Sequence, residues 1–176
     1  MRILIATTFI ALCLLGCKST EHNKATKQKA ITTSLITTPA NQDELIYFKK
    51  MSGIFISVYS GISDFPLGYD TKSIKYLDEL LNSKHVRESK RRDYYINMAG
   101  SFLGEAFIHT YGGEWVKYNG EYAIKHDRNH LSFPFGKVYR VLENGGKGDI
   151  EAMYALGALT PEQISDLLKE NSAKNE

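Results

Sequence analysis

The chain has 176 residues, a length that suits one domain of ordinary size with a buried core and short attached segments. Its 22 basic and 20 acidic residues nearly balance, which argues against nucleic acid as a partner because nucleic-acid-binding domains carry a marked positive excess. The sequence therefore predicts a globular domain and excludes DNA or RNA binding as a default function.

The first sixteen residues have the pattern of a secretory signal. Met1 and Arg2 form a short basic start, and residues 3–15 are an apolar run that is too short to span a bilayer. The tetrapeptide Leu-Leu-Gly-Cys that ends at Cys17 resembles the lipobox of bacterial lipoproteins. The resemblance implies a lipoprotein signal peptide at residues 1–16 and lipid attachment to the Cys17 thiol. An ordinary secretory signal with an incidental cysteine is the alternative.

The expected location follows from this resemblance. An acylated Cys17 would anchor the protein in a membrane of the bacterial cell envelope. Two or more acyl chains would make the anchoring firm, because each methylene group buried in the bilayer contributes roughly 0.8 kcal/mol to the binding free energy. The residue after the cysteine is Lys18 rather than an aspartate. By resemblance to the sorting of Gram-negative lipoproteins, this favours the outer membrane, with the domain facing the periplasm, if the source is Gram-negative. Since Cys13 would leave with the signal, the mature protein would have no thiol for a disulfide, a metal site or a nucleophile.

Three regions are expected beyond the signal. Residues 17–41 are rich in Thr, Lys, Ser, Asn and Gln, and this composition predicts a flexible tether with a reach on the order of 25 Å. A single α+β domain is expected over residues 42–170, and a frayed tail over residues 171–176.

Two amphipathic helices open the domain. The first should be capped by Asn41 or Asp43 and end by Gly61, and the second should be capped by Asp70. Both carry apolar residues at helical spacing, which are Leu45, Phe48, Phe55 and Tyr59 in the first and Ile74, Leu77, Leu80 and Leu81 in the second. A stripe of this kind indicates burial in a core rather than a ligand groove.

The connection that follows, residues 84–93, contains five Lys or Arg residues. We consider Arg87, Arg91 and Arg92 as candidate partner-binding residues, which could contact phosphate head groups or an acidic protein. A solvated loop followed by the start of a helix is the simpler interpretation.

Residues Tyr94–Tyr111 predict a central helix that is apolar on almost every side, so other elements should cover most of it. Gly100 and Gly104 are four residues apart and share a face, on which a neighbouring helix could approach closely. The expected fold class is α+β, with a helical core and a small antiparallel hairpin or three-stranded meander.

Glu105 and His109 lie one turn apart on this helix. In apolar surroundings the carboxylate would have a raised pKa, and with the histidine it could transfer protons or bind a metal, so the two residues are candidates for catalysis. An ion pair or one buried hydrogen bond is the alternative. His126, Asp127 and His130 suggest a metal by composition, but their spacing fits a turn, so neither a metal site nor a cofactor is predicted.

The Asn-Gly dipeptide at residues 119–120 lies between two strand-like runs and predicts a two-residue hairpin. Such a turn places Tyr118 opposite Glu121 and Trp115 opposite Ile124. Trp115 and Ile124 should pack on the central helix, although Trp115 could instead be a recognition anchor. Tyr118 and Glu121 would lie on the half-exposed face, and we take them as candidate partner-binding residues.

The remaining predicted elements are short. A strand at residues 131–133 should be closed by Pro134, and a helix at residues 137–143 should follow. Asp149 is expected to cap another short helix. A last helix should start with the capping box at residues 160–163.

Several short motifs together resemble a family of uncharacterised bacterial domains. They are Gly68-Tyr69-Asp70, the Gly100–Ala106 segment, Gly112-Gly113-Glu114-Trp115, Phe133-Pro134-Phe135 and Asn144-Gly145. The resemblance covers about residues 65–154, and some relatives in the family lie beside secreted toxins or carry lipoprotein signals. It implies the fold and brings no catalytic residues. Residues 146–149 depart from the family's pattern, in which an acidic residue and a serine are usual.

The sequence contains no motif for nucleophilic, metal or phosphate chemistry. The leading hypothesis is a membrane-tethered, non-enzymatic protein-binding module whose partner is another envelope protein, such as a toxin that it neutralises. One alternative is an envelope hydrolase or wall-modifying enzyme that uses Glu105 and His109. Another is a structural lipoprotein of the envelope without a discrete ligand.

Overall fold

The computed structural model describes residues 35–126 and 130–157, together with residues 159, 163, 165, 166 and 169. In this part of the chain six helices and a four-stranded antiparallel sheet form an α+β fold, which confirms the predicted fold class. The helices are α1 (Gln42–Ser60), α2 (Thr71–Asn82), α3 (Lys84–Arg87), α4 (Arg92–Tyr111), α5 (Pro134–Asn144) and α6 (Asp149–Leu156). The strands are β1 (Thr38–Pro39), β2 (Glu114–Tyr118), β3 (Glu121–His126) and β4 (His130–Ser132), and they lie in the sheet in that order.

Several predictions concern residues outside these ranges. They are the signal peptide at residues 1–16, the acylated Cys17, most of the tether, Asp127, most of the last helix and the tail. In the part of the chain that the structure describes, no helix combines the length and the apolar character needed to cross a bilayer.

Helices α1 and α2 begin where their capping residues predict. Asn41 Oδ1 accepts a hydrogen bond from Glu44 N at 3.0 Å, and Glu44 Oε2 accepts one from Asn41 N at 2.9 Å. This reciprocal pair is a capping box, which fixes the first turn of α1. Asp70 Oδ1 caps α2 by accepting a hydrogen bond from Ser73 N at 2.8 Å.

Helix α4 lies at the centre of the domain, where it packs against α1 and α5 and also contacts β3. It begins at Arg92, two residues before the predicted start, and ends at Tyr111 as expected. All residues from 98 to 104 are buried, so every side of the helix is covered there. The Phe102 ring stacks on Phe55 of α1, with the ring centroids 4.3 Å apart.

The hairpin has the predicted register, in which Trp115 pairs with Ile124 and Tyr118 pairs with Glu121. Trp115 and Ile124 are buried in the core, which confirms that this face of the hairpin packs on the helices. The opposite face is less exposed than predicted, because Val116 and Ala123 are buried as well. The exposed and half-exposed residues of the hairpin therefore lie at its two ends, with buried residues between them.

Gly100 and Gly104 were predicted to admit a neighbouring helix, but each receives an aromatic ring. The Phe135 ring of α5 lies against Gly100, and the Trp115 indole of β2 lies against Gly104, so closely that a Cβ atom at either position would overlap the ring. One residue along α4, Glu105 Oε1 accepts a hydrogen bond from Trp115 Nε1 at 2.8 Å. The two glycines thus determine where the large rings of the core lie.

The sheet has one strand more than the predicted meander. Residues 38–39, within the range predicted as tether, pair with residues 116–117 of β2. Ala40 N extends this pairing by donating a hydrogen bond to Trp115 O at 2.9 Å. The chain is therefore held to the sheet before α1 begins.

Helices α5 and α6 start differently from the predictions. Pro134 does not close β4 but is the first residue of α5, a position at which its missing N–H costs no hydrogen bond. The N-cap of α6 is Gly148 rather than Asp149; its φ of 85° favours glycine, which has no side chain to cap the helix. The buried carboxylate of Asp78 in α2 supplies the cap instead, because it accepts hydrogen bonds from Gly148 N at 2.7 Å and Ile150 N at 2.8 Å.

Gly104→Ala should destabilise the domain, because the added methyl group would overlap the Trp115 indole. Overpacking of this kind lowers the free energy of unfolding by about 1–3 kcal/mol. Gly53→Ala is the matched control: Gly53 is exposed within α1, no described atom lies within 4 Å of a new Cβ, and the change should raise stability by about 0.5–1 kcal/mol. Urea denaturation measures both changes, and stabilisation by both substitutions would contradict the close packing.

Candidate binding groove

A groove with a volume of about 710 Å³ opens between the start of α1, the hairpin turn, the first half of α4 and the start of α5. Its volume is within the range of ligand sites in proteins. Its described lining residues are mainly acidic, aromatic, amide or glycine residues: Asn41, Asp43, Glu44, Tyr47, Phe48, Ile96, Asn97, Gly120, Glu121, Tyr122, Phe135, Gly136 and Tyr139. No Lys or Arg is among these described residues, so the lining has a negative formal charge.

Two of the three carboxylates in the groove are unpaired. Asp43 and Glu121 are exposed, and no described residue forms a hydrogen bond or an ion pair with either side chain. Asp43 lies in the first turn of α1, whereas Glu121 is the first residue of β3. The groove therefore presents negative charge from two separate elements of the fold.

The apolar part of the lining is aromatic. Tyr47 and Tyr139 are 43% and 51% exposed, respectively. Phe48 and Phe135 lie deeper, with ring centroids 5.6 Å apart, and their centroids are 4.3 and 5.6 Å from that of Trp115. Because the Trp115 indole is fixed on α4, the inner rings of the groove are fixed with it.

Two groove-lining residues at the start of α5, Phe135 and Gly136, have backbone N–H groups that are unpaired among the described residues. The N-cap residue of α5, Phe133, makes no side-chain capping bond, and no described group accepts a hydrogen bond from the N–H of Phe135 or Gly136. Unpaired N–H groups at a helix start can bind a ligand. Asn97 Nδ2 donates to Asp93 O at 2.8 Å, which leaves Asn97 Oδ1 as an acceptor.

Glu44, the third carboxylate, joins α1 to the hairpin. Its Oε1 accepts a hydrogen bond from Tyr122 Oη at 2.7 Å and forms an ion pair with Lys117 Nζ. The bonds from Lys117, Tyr122 and the Asn41 N–H stabilise the charged form and lower the pKa of Glu44 to about 2. The bond to Glu44 raises the pKa of Lys117, and burial together with the bond to Glu44 raises the pKa of Tyr122.

Glu105 and His109, the candidates for catalysis, do not line the groove. Glu105 is half-buried and accepts the hydrogen bond from Trp115 Nε1 described above, which matches the hydrogen-bonded alternative considered for this residue. His109 is exposed, and its ring centroid is 5.3 Å from that of Tyr69. The contacts of Glu105 are those of a residue that orients the tryptophan.

His126, at the end of the hairpin, contacts α4 at Phe107, and His130 lies next to His126. The His126 ring centroid is 5.8 Å from that of Phe107 and 5.6 Å from that of His130, and His126 Nε2 is 3.1 Å from Ser132 Oγ. Asp127 lies outside the described residues. Within residues 35–126 and 130–157, no three His, Cys, Asp or Glu side chains are close enough to hold a metal ion.

Of the three candidate arginines, Arg87 and Arg92 line a second, smaller pocket beside the end of α5, whereas Arg91 is not among its described lining residues. Arg92 Nη2 forms an ion pair with Glu143 Oε1 at 2.7 Å, and Arg87 Nη2 donates to the Glu143 carbonyl at 3.5 Å. The Arg87 guanidinium also lies close to Gly145. Both side chains therefore bind the C-terminal end of α5, where helix carbonyls attract cations. Arg91 is exposed and stays a candidate partner contact.

The two candidate residues of the hairpin lie in different surroundings. Glu121 lines the groove, but Tyr118 does not. The Tyr118 ring centroid is instead 6.3 Å from that of Phe133, just before α5. Of the five predicted partner-binding residues, Glu121 is the one found among the described lining residues of the groove.

Sequence reasoning missed the aromatic residues of α1 and α5 that line the groove. Tyr47 and Tyr139 lie outside the buried stripes of their helices, but single aromatic residues are common on protein surfaces, so their positions do not by themselves indicate a site. The groove itself gave no sequence signal, because its walls come from four segments that are far apart in the chain.

Comparisons with known proteins found no protein-family model, no curated protein and no solved structure that matches this chain. The family resemblance of the short motifs stays a prediction. The groove must therefore be interpreted from its own chemistry.

The lowered pKa of Glu44 predicts a pH-dependent contribution to stability. At pH values above the ordinary Glu pKa of about 4.3, the bonds to the charged carboxylate contribute fully to the stability of the folded state. This contribution is lost as the pH falls toward about 2, the pKa of Glu44 in the folded state. Glu44→Gln should therefore lower the free energy of unfolding near neutral pH, and its difference from the unmodified protein should shrink as the pH falls from about 5 to about 2.

Urea denaturation at a series of pH values measures this difference. Glu88→Gln is the matched control, since Glu88 forms a 4.0 Å ion pair with Lys84 in which both side chains are largely exposed. It should show no comparable pH dependence. A difference for Glu44→Gln that stays constant over this pH range would contradict the role assigned to the carboxylate.

Proposed function

We propose that the protein is a membrane-tethered, non-enzymatic binding module of the bacterial cell envelope, which holds a segment of another envelope protein in the groove. The observation that carries this proposal is the presence of half-exposed tyrosines and unpaired carboxylates in one concave surface. Tyrosine residues provide much of the contact energy in protein interfaces, because they bury a large area and have few rotatable bonds.

The chemistry of the groove favours a peptide segment as ligand. A volume of about 710 Å³ accommodates several side chains but not a folded domain. The N–H groups of Phe135 and Gly136 and the Asn97 amide oxygen can pair with the main chain of such a segment. Main-chain hydrogen bonds combined with side-chain contacts are the usual basis of peptide recognition.

Contacts within the protein hold the walls of the groove in place. The capping box of Asn41 and Glu44 fixes the start of α1, and the bonds of Glu44 to Lys117 and Tyr122 fix the hairpin relative to it. A site that is already ordered loses little conformational entropy on binding, so more of the contact energy contributes to affinity.

The envelope location and the type of partner rest on the sequence. The lipobox-like residues 14–17 support anchoring through lipid on Cys17. The family resemblance supports an incoming toxin, which the protein would neutralise, as the partner. The contacts of Glu105 with Trp115 give no support to the hydrolase alternative, and a purely structural lipoprotein gives no reason for exposed aromatic residues in a concave surface.

Site-specific crosslinking in cells tests the binding site. The photoreactive amino acid p-benzoylphenylalanine in place of Tyr47 should give a defined protein adduct after irradiation, because a partner in the groove would contact that ring. Adding Tyr139→Ala to the same protein should reduce the adduct by about tenfold or more, since loss of a hot-spot aromatic costs at least about 2 kcal/mol of binding energy.

The same crosslinker in place of Tyr94 is the matched control. Tyr94 is 44% exposed, almost the same as Tyr47, but it does not line the groove. It should give little or none of that adduct. Equal adducts at the two positions, or no adduct at Tyr47 under any growth condition, would contradict the proposal.

Lipid attachment is tested by metabolic labelling with an alkyne-bearing fatty acid. The unmodified protein and the Cys13→Ala variant should both be labelled, whereas Cys17→Ala should lose the label completely because the acylated thiol is absent. In-gel fluorescence after coupling a dye to the alkyne measures the result. Equal labelling of the Cys17→Ala variant would rule out the predicted anchor.

A further inference from the structure

We infer that the ligand of the groove is a cationic peptide segment, in which a Lys or Arg side chain lies next to an apolar side chain. The inference rests on the proposed function and adds the chemical class of the partner. The charge of the lining, the arrangement of the aromatic rings and the backbone groups at the groove all favour such a ligand.

The charge of the lining selects against an anionic ligand. Asp43, Glu44 and Glu121 give the described lining three carboxylates and no Lys or Arg. Lys117 neutralises Glu44, so the charge left for a ligand comes from Asp43 and Glu121. A cationic side chain would be attracted by both carboxylates, and an anionic one would be repelled by both.

One contact within the protein has the geometry expected for the ligand's cation. Lys117 Nζ forms an ion pair with Glu44 and also lies 5.3 Å from the centroid of the Tyr122 ring. A cation between a carboxylate and an aromatic face is stabilised by both the charge and the ring quadrupole. Asp43 and Tyr47, four residues apart on α1, offer an unpaired carboxylate and an exposed ring on the same side of that helix.

The remaining parts of the lining suit the rest of a peptide. Phe48 and Phe135 provide an apolar floor, on which an aliphatic or aromatic side chain next to the cation would be buried. The unpaired N–H groups of Phe135 and Gly136 belong to a groove whose described lining includes three carboxylates, so they suit neutral carbonyl oxygens better than a charged anion.

Selection from a random 12-residue peptide display library on the immobilised mature chain tests the inference. The selected peptides should be enriched in Lys or Arg next to an apolar residue. The best synthetic peptide should lose about tenfold or more in affinity for the Asp43→Asn/Glu121→Gln variant, as measured by fluorescence anisotropy, and its affinity should fall as salt is raised.

Two controls isolate the charge contact. The Asp64→Asn/Glu79→Gln variant removes the same charge from exposed positions outside the groove and should bind the peptide normally. Replacing the peptide's cationic residue by norleucine should weaken binding to the unmodified protein, but should have little effect on binding to the Asp43→Asn/Glu121→Gln variant. This non-additivity shows that the peptide cation and the carboxylates interact directly.

The outcomes separate the ligand class from the proposed function. The library could instead yield neutral or acidic peptides that no longer bind the Tyr139→Ala variant. This result would overturn the inference of a cationic ligand, but it would support the groove as a binding site. Peptides that bind Tyr139→Ala and Asp43→Asn/Glu121→Gln normally would overturn both.

Two other occupants of the groove would overturn the separate partner protein on which the inference rests. A dimer in analytical ultracentrifugation that Tyr139→Ala abolishes would show that a second copy occupies the groove. A synthetic peptide of the chain's own residues 18–29, which contain four lysines, would show self-occupancy if it displaced every selected peptide.

Discussion

The contact between the Trp115 indole and Gly104 determines where the other parts of this domain lie. The ring approaches α4 so closely that only glycine fits beneath it, and the hydrogen bond from its Nε1 to Glu105 fixes its orientation. Phe48 of α1 packs on the same ring, with centroids 4.3 Å apart, and Phe135 of α5 lies next to both. Three helices and the hairpin therefore meet at one side chain, and the groove is formed where the rings around it reach the surface.

Much of the fold could be predicted because the signals that specify it are local. The capping residues Asn41 and Asp70 mark the starts of α1 and α2, and the Asn-Gly turn at residues 119–120 fixes the register that pairs Trp115 with Ile124. A two-residue turn leaves one register available, and that register decides which side chains face the core. Local rules of this kind depend on neighbours within a few residues.

The parts that could not be predicted depend on contacts between distant segments. Strand β1 has two residues and no periodic pattern, and its pairing with β2 requires the hairpin to be in place. The cap of α6 comes from Asp78, which is 70 residues before Gly148. The hydrogen bond from Trp115 Nε1 to Glu105 Oε1 joins β2 to α4, and the sequence alone does not reveal it. The groove combines α1, α4, the hairpin and α5 in the same way, so composition and spacing did not reveal it.

Strand β1 has a mechanical consequence. Only Ala40 separates it from Asn41, which lines the groove and forms the capping box with Glu44. A pulling force on the chain before β1 would therefore load the bonds of residues 38–40 to β2 first, and would reach Asn41 and the wall of the groove only after those bonds broke. In a protein held at its N-terminal end, these bonds would shield the groove from tension until β1 separated from β2.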